Sequence, residues 1–288
     1  MLLSGKATLA GVMGWPIGHS LSPRLHGHWI LRHGLDAAYV PLAVSPDDVA
    51  AAFALLPRLG FSGWNVTLPH KEAAFRLVDE RDVGAERTGS VNTVLVYADG
   101  RTRGYSTDGE GFLANLRHQA PTWRPQAGPA ALVGTGGATR AVAVALLDAG
   151  VPSLRLANRT ASRAEELAGE LRGLFPAAAM EVVGWAGRHA MLDGAALCVN
   201  GSSLGMKGQP PLDLDLDALP LASPVADLVY VPLETDLLAA ARRRGHPAVD
   251  GLGMLIRQAV PGFRHWGGTE PTVDEATSEV LLEALASR

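Results

Sequence analysis

The sequence contains little cysteine and no excess of positive charge, and each shortage excludes a class of protein. Its single cysteine, Cys198, rules out an internal disulfide framework. The apolar neighbourhood ALCVN predicts a buried strand residue, and the composition suits a reducing cytoplasm. The formal net charge of −4 and the pI near 6.1 provide no basic field for nucleic acid or an anionic membrane. A small-molecule partner is therefore favoured, and any phosphate site must be local.

Long apolar runs are also absent. No stretch approaches the roughly 18 apolar residues that a membrane span needs, and the start MLLSGKATLAGVMGW lacks the basic region and apolar block of a secretory signal. We therefore expect a protein that is neither membrane-bound nor exported, and no metal site is assigned. Lysine occurs only at positions 6, 71 and 207, so a lysine inside a motif is informative.

Apolar residues make up 47% of the 288 residues, enough for two domains that each bury a core. The first part alternates predicted strands and helices, namely TLAGVMGWPI, SPRLHGHWILRHG, AYVPLAV, PDDVAAAFALLPRLG, GWNVTL and KEAAFRLVDE. A hairpin follows with its turn at Asp99-Gly100, and EGFLANLRHQ forms the next helix. The composition of APTWRPQAGP is that of a linker and predicts a boundary near Pro121.

The second part alternates strands and helices again, as nucleotide-binding α/β domains do. Its predicted elements are AALVG, ATRAVAVALLDAG, LRLAN, ASRAEELAGELRGLF, MEVVGW, ALCVNG and VADLVY. The end of the chain is helical: GMLIRQAVPGFRHWGG is expected to break at Pro261, and a last helix to start from a cap at Thr272 or Asp274. We expect these helices to return to the first domain.

A glycine-rich loop follows the first strand of the second part. Its residues are Gly134, Thr135, Gly136, Gly137 and Ala138. Glycines let a backbone approach a pyrophosphate, and the helix start adds oriented N–H donors. A tight strand-to-helix turn also favours glycine, which is the alternative explanation. Because Thr139 occupies the third position of G-x-G-x-x-G, the loop is a variant.

About 20 residues after the loop, where NAD-binding folds place an acid for the ribose hydroxyls, the sequence reads Asn158-Arg159-Thr160, with Arg163 beyond. Arginine offers planar, permanently charged donors to a 2′-phosphate, so NADP is preferred over NAD. The alternative is that the two arginines only decorate a solvated helix start. That alternative is less favourable, because positive charge there opposes the helix dipole.

Three polar clusters occur in the first domain where strands give way to loops or helices. In the first, Ser20 and Ser22 offer hydroxyls to a carboxylate or polyol, with helix capping by Ser22 as the alternative. In the second, Asn65 and Thr67 point the same way from an extended segment, so both can face one ligand. The third contains Asn92 and a later aspartate.

Lys71 and Asp108 form the predicted catalytic pair. Lys71, at a helix start, can give or take a proton, although a lone lysine is more often a surface residue. Asp108 alone is typical of a helix cap or turn. A buried ammonium needs a carboxylate, and a carbonyl being reduced needs a proton donor, and together the two residues meet both needs. Which of them carries the proton is left open.

In this order, the motifs resemble those of the shikimate dehydrogenase family over nearly the whole chain. They are GWPIGHSLSPRLH at 14–26, NVTLPHK at 65–71, VNT at 91–93, STDGEG at 106–111, DLVYVP at 227–232 and DGLGMLIRQ at 250–258. Gly27, Ser106 and Val231 depart from the family patterns, and Asn200-Gly201-Ser202-Ser203 is a variant of N-A-T-S. None of these departures removes a residue assigned to chemistry.

The resemblance implies an α/β fold with a substrate domain, residues 1–118 completed by C-terminal helices 252–288, and a Rossmann-like NADP-binding domain, residues 119–251. It implies reversible NADPH-dependent reduction of 3-dehydroshikimate to shikimate in aromatic amino acid biosynthesis, by a monomer or homodimer. A quinate/shikimate or aminoshikimate dehydrogenase is the alternative. A catalytically silent NADP-binding sensor is a more distant one, disfavoured because both catalytic residues are present.

The resemblance also implies the site residues, position by position. Substrate would be bound by Ser20, Ser22, Asn65, Thr67, Lys71, Asn92, Asp108, Tyr230 and Gln258. The cofactor would be bound by Gly134, Thr135, Gly136, Gly137, Ala138, Asn158, Arg159, Thr160, Arg163, Leu228, Gly251 and Met254. Of these, Tyr230 and Gly251 would line the site where nicotinamide meets substrate.

Overall fold

The structure is a computed structural model that describes residues 2–287, and the chain divides into two compact units. Unit 1 comprises Met1–Thr107 with Gln258–Arg288, and unit 2 comprises Asp108–Arg257. The boundaries expected from the sequence, at 118/119 and 251/252, differ from these. Among the helices of the described residues, none is both long and apolar enough to cross a membrane.

Unit 1 is built on a six-stranded mixed sheet in the order β2-β1-β3-β5-β6-β4. Its strands are β1 (Thr8–Gly14), β2 (Ala37–Ala43), β3 (Phe61–Val66), β4 (Glu80–Arg81), β5 (Thr93–Val96) and β6 (Thr102–Tyr105). β1 pairs in parallel with β2 and β3, whereas β5 is antiparallel to β3 and β6. The predicted hairpin is confirmed, and Gly100 adopts the left-handed φ of +85° that its turn requires.

The helices of unit 1 are short, and one prediction about them was wrong. They are α1 (Ser22–Arg32), α2 (Val49–Leu55), α3 (Lys71–Leu77), α4 (Val83–Thr88) and α10 (Glu275–Ala286). The single helix expected over PDDVAAAFALLPRLG is interrupted, because Pro57 cannot donate a hydrogen bond to the preceding turn. A 3₁₀ turn, Pro57–Leu59, follows α2 instead. The core packs around the fully buried Trp64, which meets Phe53 edge-to-face at 5.1 Å.

The last helix returns to unit 1, as predicted. The Asp274 side chain caps α10 by accepting from the Thr277 N–H at 3.1 Å. Asp274 also forms an ion pair with Arg32 of α1 at 2.7 Å. The indole of buried Trp29, also in α1, donates to the Thr272 carbonyl at 3.0 Å. Asp274 is therefore the cap, and Thr272 supplies a backbone acceptor instead.

The expected break at Pro261 is absent, because α9 runs without interruption over Gly251–Gly267. A proline inside a helix costs about 3 kcal/mol or more. Phe263 and Trp266, within about one and a half turns of Pro261, are buried in unit 1, and burying such side chains recovers about 1.5–3 kcal/mol each. Thr107 Oγ1 also donates to the Gln258 carbonyl at 2.8 Å, in the turn where the proline removes a donor. Packing therefore outweighs the local preference.

Unit 2 is a doubly wound α/β domain. Its strands are β7 (Ala130–Val133), β8 (Ser153–Ala157), β9 (Ala179–Val183), β10 (Leu197–Asn200), β11 (Val225–Asp227) and β12 (Ala248–Val249). Its helices are α5 (Asp108–Gln119), α6 (Gly137–Asp148), α7 (Ala161–Leu174), α8 (Asp236–Arg244) and the start of α9. All strands are parallel, in the order β9-β8-β7-β10-β11-β12, the Rossmann arrangement.

The strands at the centre of this sheet are buried at every position, which explains their unbroken apolar sequences. Cys198 lies on β10 and is fully buried, as predicted. Burial raises the pKa of its thiol to about 12, which keeps the sulfur protonated and unreactive.

The linker-like segment does not separate the units because α5 packs within unit 2. A Cβ added at Gly109 would lie 2.6 Å from the Ala141 carbonyl oxygen, so α5 and α6 meet backbone to backbone. Farther along α5, Asn115 Nδ2 donates to the Asp250 carbonyl at 2.7 Å. One proline of the linker-like segment instead begins a 3₁₀ turn, Pro125–Ala127, that leads into β7.

Candidate functional site

Lys71 is the first residue of α3, and the backbone holds this helix start in place. The His70 N–H donates to the Thr67 carbonyl at 3.0 Å, and the buried His70 ring binds the Val44 carbonyl at 2.7 Å. The Lys71 carbonyl accepts from the Val91 N–H at 3.0 Å. A positive charge at a helix start opposes the dipole, so helix stability does not explain a lysine here.

The two serines lie at the start of α1, and the alternative in which Ser22 caps this helix was wrong. Ser22 is the first helical residue and Leu21 is the N-cap, and within residues 2–287 no side chain caps this helix. Ser20 Oγ accepts from the Ser22 N–H at 3.3 Å. This local hydrogen bond gives Ser20 a structural role and links the positions of the two residues.

Asn92 and Gln258 are brought together although they are 166 residues apart in the chain. Asn92 Nδ2 donates to Gln258 Oε1 at 3.2 Å and to Thr107 Oγ1 at 3.0 Å. The Thr107 N–H in turn donates to Asn92 Oδ1 at 2.9 Å. The sequence analysis did not assign Thr107 to the site, and its place before Asp108 in a family motif was the only signal.

Asn65 lies on β3 with its amide engaged on both sides. Tyr39 Oη donates to its Oδ1 at 2.6 Å, and its Nδ2 donates to Thr93 Oγ1 at 3.0 Å and to the Asn92 carbonyl at 3.2 Å. Thr67, two residues on, is half-buried in the loop that leads to Lys71. Sequence analysis missed Tyr39, because a tyrosine in the strand AYVPLAV is explained by packing alone.

The glycine-rich loop of unit 2 contains two kinds of glycine. One is required by the backbone conformation and packing, and the others leave open space. Gly134 has a φ of +94°, and a Cβ there would lie 2.8 Å from the Ser202 nitrogen. A Cβ at Gly136 or Gly137 would meet nothing within 4 Å. Gly136 is the N-cap of α6, and among the described residues no side chain caps it. The N–H groups of this helix start therefore suit a phosphate, and a dinucleotide fits the loop.

The two departures from the nucleotide motifs compensate each other. Thr139, at the third glycine position, is fully buried and donates from Oγ1 to the Gly201 carbonyl at 3.0 Å. A Cβ at Gly201, where the family pattern has alanine, would lie only 2.2 Å from Thr139 Oγ1. The larger residue in one loop therefore requires the smaller residue in the other.

The basic residues after β8 are exposed. Asn158 Nδ2 donates to the Thr160 carbonyl at 2.9 Å, which shapes the turn into α7. Within residues 2–287, neither Arg159 nor Arg163 forms an ion pair, and both guanidinium groups have the freedom to meet an added phosphate.

Asp227, at the end of β11, joins two loops of unit 2. Its Oδ1 accepts from Asn200 Nδ2 at 2.9 Å and from the Val229 N–H at 3.0 Å, and its Oδ2 accepts from Thr235 Oγ1 at 2.7 Å. Burial raises the pKa of Asp227 to about 6, although these hydrogen bonds work in the opposite direction. The carboxylate thereby ties the loop after β10 to the segment that carries Leu228 and Tyr230.

The remaining predicted residues of unit 2 are buried or half-buried. A Cβ at Gly251 would lie 2.5 Å from the Leu228 carbonyl oxygen, so these two backbones touch. Met254 is only 8% exposed and belongs to the hydrophobic core with Val249. Asp108 is buried as the first residue of α5 and Tyr230 is half-buried after β11, so both belong to unit 2.

Unit 2 is a Rossmann-type unit with an uncapped glycine-rich helix start, and unit 1 has a fixed lysine and a cluster of amides. These features define a dinucleotide-dependent dehydrogenase. Residues 12–94 match the model of the shikimate dehydrogenase substrate binding domain. The chain is 57% identical to the shikimate dehydrogenase (NADP(+)) of Paramagnetospirillum magneticum over 280 residues, which are 97% of this chain and 100% of that protein. The chain belongs to the shikimate dehydrogenase family.

Two solved structures extend the comparison. Quinate dehydrogenase from Corynebacterium glutamicum in complex with NAD is 34% identical with a TM-score of 0.89, covering 96% of this chain and 99% of that one. Shikimate 5-dehydrogenase from Thermus thermophilus in complex with NADP(H) and shikimate is also 34% identical, with a TM-score of 0.82, covering 97% and 99%.

We expect Gly201→Ala to lower the free energy of unfolding by about 1–3 kcal/mol, because the added methyl group overlaps Thr139. Thr139→Gly alone also costs stability, because it removes the hydrogen bond to the Gly201 carbonyl, but its cost should be smaller in the Gly201→Ala background, where it also removes the overlap. Urea unfolding of both single variants and the double variant measures the coupling energy. If the stability losses of the two single variants sum to that of the double variant within about 0.5 kcal/mol, Thr139 and Gly201 do not compensate each other.

A second prediction concerns pH. Because the folded-state pKa of Asp227, about 6, lies above its ordinary 3.8, the stability it contributes is present below pH 4 and lost as pH rises through 6. Asp227→Asn removes this titration. The free energy of unfolding of the variant minus that of the wild type should therefore rise by about 2–3 kcal/mol between pH 4 and pH 7.

Asp36→Asn is the matched control, because hydrogen bonds from Ser4 lower the pKa of the exposed Asp36. Its contribution is present at higher pH and is lost as pH falls, so the corresponding difference should change in the opposite direction. If the difference for Asp227→Asn does not vary with pH, the carboxylate does not titrate as described.

Proposed function

We propose that this chain catalyses the reversible NADPH-dependent reduction of 3-dehydroshikimate to shikimate, a step of aromatic amino acid biosynthesis. The observation that carries the proposal is the arrangement within unit 1 of a backbone-fixed lysine and a cluster of amides. Val91, which binds the Lys71 carbonyl, directly precedes Asn92. A polyol with a carbonyl to be reduced needs both a proton donor and several neutral hydrogen-bonding groups.

The neutral polar side chains are assigned to the hydroxyl and carboxylate groups of the substrate. They are Ser20, Ser22, Asn65, Thr67, Asn92 and Gln258, with Tyr230 from unit 2. Lys71 is the acid/base: it donates a proton to the carbonyl oxygen as that oxygen becomes a hydroxyl, and it accepts the proton in the reverse direction. Asp108 is the second member of the catalytic pair. NADPH, when bound, supplies the hydride.

The cofactor is assigned to unit 2 on the chemistry of three segments. The start of α6, with Gly134, Thr135, Gly136, Gly137 and Ala138, would hold the pyrophosphate. Arg159 and Arg163, with Asn158 and Thr160, would hold the 2′-phosphate that distinguishes NADP from NAD. Leu228, Gly251 and Met254 are assigned to the nicotinamide side. The absence of an acid after β8 supports NADP.

Shikimate is favoured over quinate as the substrate. The relative named for shikimate and NADP(+) is 57% identical to this chain, whereas the quinate dehydrogenase with NAD is 34% identical. The proposal also includes a cytoplasmic location and a monomer or homodimer, and sedimentation analysis would distinguish the monomer from the dimer. Its principal test is an assay of shikimate and quinate, each with NADP⁺ and NAD⁺. Oxidation of shikimate with NADP⁺ should be the fastest, and no oxidation of shikimate would refute the proposal.

Lys71→Ala is expected to lower kcat by about 10²–10⁴-fold with a much smaller rise in KM, because the lost interaction belongs to the transition state. Lys6→Ala is the matched control, since Lys6 is an exposed lysine near the start of β1. The initial rate of shikimate oxidation measures both. An unchanged kcat in Lys71→Ala would remove Lys71 from the chemistry.

Arg159→Ala should reduce the preference of the enzyme for NADPH over NADH by about 10–100-fold, because charge-assisted hydrogen bonds to the 2′-phosphate are lost. The measurement is kcat/KM for each cofactor. Arg172→Ala provides the control, because Arg172 lies on α7 and binds the Met180 carbonyl at 3.0 Å. Equal values of kcat/KM for the two cofactors in the wild type would refute the role given to Arg159.

A further inference from the structure

Tyr39 reaches across the sheet of unit 1 to Asn65. It lies on β2, where it is paired with Ala10 of β1, and Ala10 in turn is paired with Gly63 of β3. Asn65 is two residues beyond Gly63, so its side chain lies on the same face of the sheet. Because Ala10 has only a methyl side chain, the Tyr39 ring has room to lie across β1. The space over Gly63 is taken by the Trp266 indole, which a Cβ at Gly63 would overlap.

The aromatic neighbours of Tyr39 hold its ring in this position. The His26 ring stacks on it with centroids 3.9 Å apart and planes 2° apart, and Trp266 lies 5.9 Å away. Burial lowers the pKa of His26 to about 3, so the stacked imidazole is neutral at physiological pH. Burial raises the pKa of Tyr39 well above its ordinary range, and hydrogen bonding with Ser22 opposes the rise. Tyr39 is therefore a protonated donor at any working pH.

The hydrogen bonds of Asn65 determine what it can offer to a ligand. An amide NH₂ has two hydrogens, and those of Asn65 are engaged by Thr93 Oγ1 and the Asn92 carbonyl. The Asn92 carbonyl oxygen can only accept a hydrogen bond, so a flipped Asn65 amide would place Asn65 Oδ1 against that oxygen. Tyr39 occupies one of the two acceptor positions of Asn65 Oδ1. Within residues 2–287 a single acceptor position of Asn65 Oδ1 remains, because the adjacent His26 imidazole approaches the amide but neither of its ring nitrogens completes a hydrogen bond.

We propose that Tyr39 is a positioning residue that holds Asn65 as a one-position hydrogen-bond acceptor, so that the site selects a substrate hydroxyl at that point. A hydroxyl has the hydrogen that this position needs, whereas a keto, ether or fluoro group does not. The inference rests on the proposed function, which supplies the polyol substrate. It adds a residue and a reason for selectivity that the proposed function does not contain.

Tyr39→Phe isolates the hydroxyl, because the stacked ring is kept. We expect the KM for shikimate to rise about tenfold, as for the loss of one buried hydrogen bond. The kcat and the KM for NADP⁺ should stay within about twofold, since neither the proton transfer nor the cofactor involves Tyr39. The melting temperature should fall by only a few degrees, about 2–4 °C for each kcal/mol lost with the Tyr39–Asn65 hydrogen bond. Tyr97→Phe is the matched control. Tyr97 lies on the hairpin, and its Oη is 3.4 Å from the Glu80 carboxylate of β4.

Shikimate analogues separate selection of a hydroxyl from general support of the fold. In each analogue one ring hydroxyl is replaced by hydrogen or by fluorine, and it is measured as a substrate or competitive inhibitor. For one hydroxyl, fluorine should bind the wild type no better than hydrogen, because Asn65 has no hydrogen left to donate. For that hydroxyl alone, Tyr39→Phe and the analogue should together lose less binding free energy than the sum of their separate losses.

Each result decides between named outcomes. A wild type that does not oxidise shikimate would overturn the proposed function and this inference together. A wild type that does so, with a Tyr39→Phe variant of unchanged KM, would overturn this inference alone. If Tyr39→Phe raised the KM for shikimate and for NADP⁺ equally, or weakened binding equally for every ring hydroxyl, Tyr39 would have only a role in the fold. Either result would also overturn this inference. A tenfold rise in KM coupled to one hydroxyl supports it.

Discussion

Unit 1 depends on a small group of hydrogen bonds that joins its two chain segments. The chain leaves the unit after Thr107 and returns at Gln258, and these residues are hydrogen-bonded to each other at 2.8 Å. Asn92 binds the side chains of both. A domain interrupted by about 150 residues needs its exit and return points held together, because otherwise ordering the long insertion costs entropy without closing the core. The same amides that close the unit are those assigned to the substrate.

This double use explains why the polar side chains of unit 1 are so constrained. A buried amide has to satisfy its hydrogen bonds within the protein, so only the remaining positions are offered to a ligand. Asn65 illustrates the result, since its three hydrogen-bond partners in the described part of the chain leave it one acceptor position. Asp227 follows the same logic in unit 2, where one buried carboxylate holds two loops together.

Much of the fold follows from the sequence because its elements carry strong local signals. The alternation of apolar strands and amphipathic helices, the turn at Asp99-Gly100 and the cap at Asp274 all depend on neighbouring residues, and the structure has them. The break expected at Pro261 is absent because distant packing outweighed a local cost. Ser22 does not cap its helix for a local reason: the helix begins at Ser22 itself, so Leu21 occupies the capping position.

The sequence by itself determined the class of protein, because glycine positions, motif order and the arginines after β8 are legible along the chain. The tertiary structure alone decided which residues support the site. Tyr39 reaches Asn65 across β1, where the residue paired with it is the small Ala10. Thr139 and Gly201 compensate each other across 62 residues. Such pairings depend on sheet order and register, which hydrogen bonds between distant strands establish and no local pattern encodes.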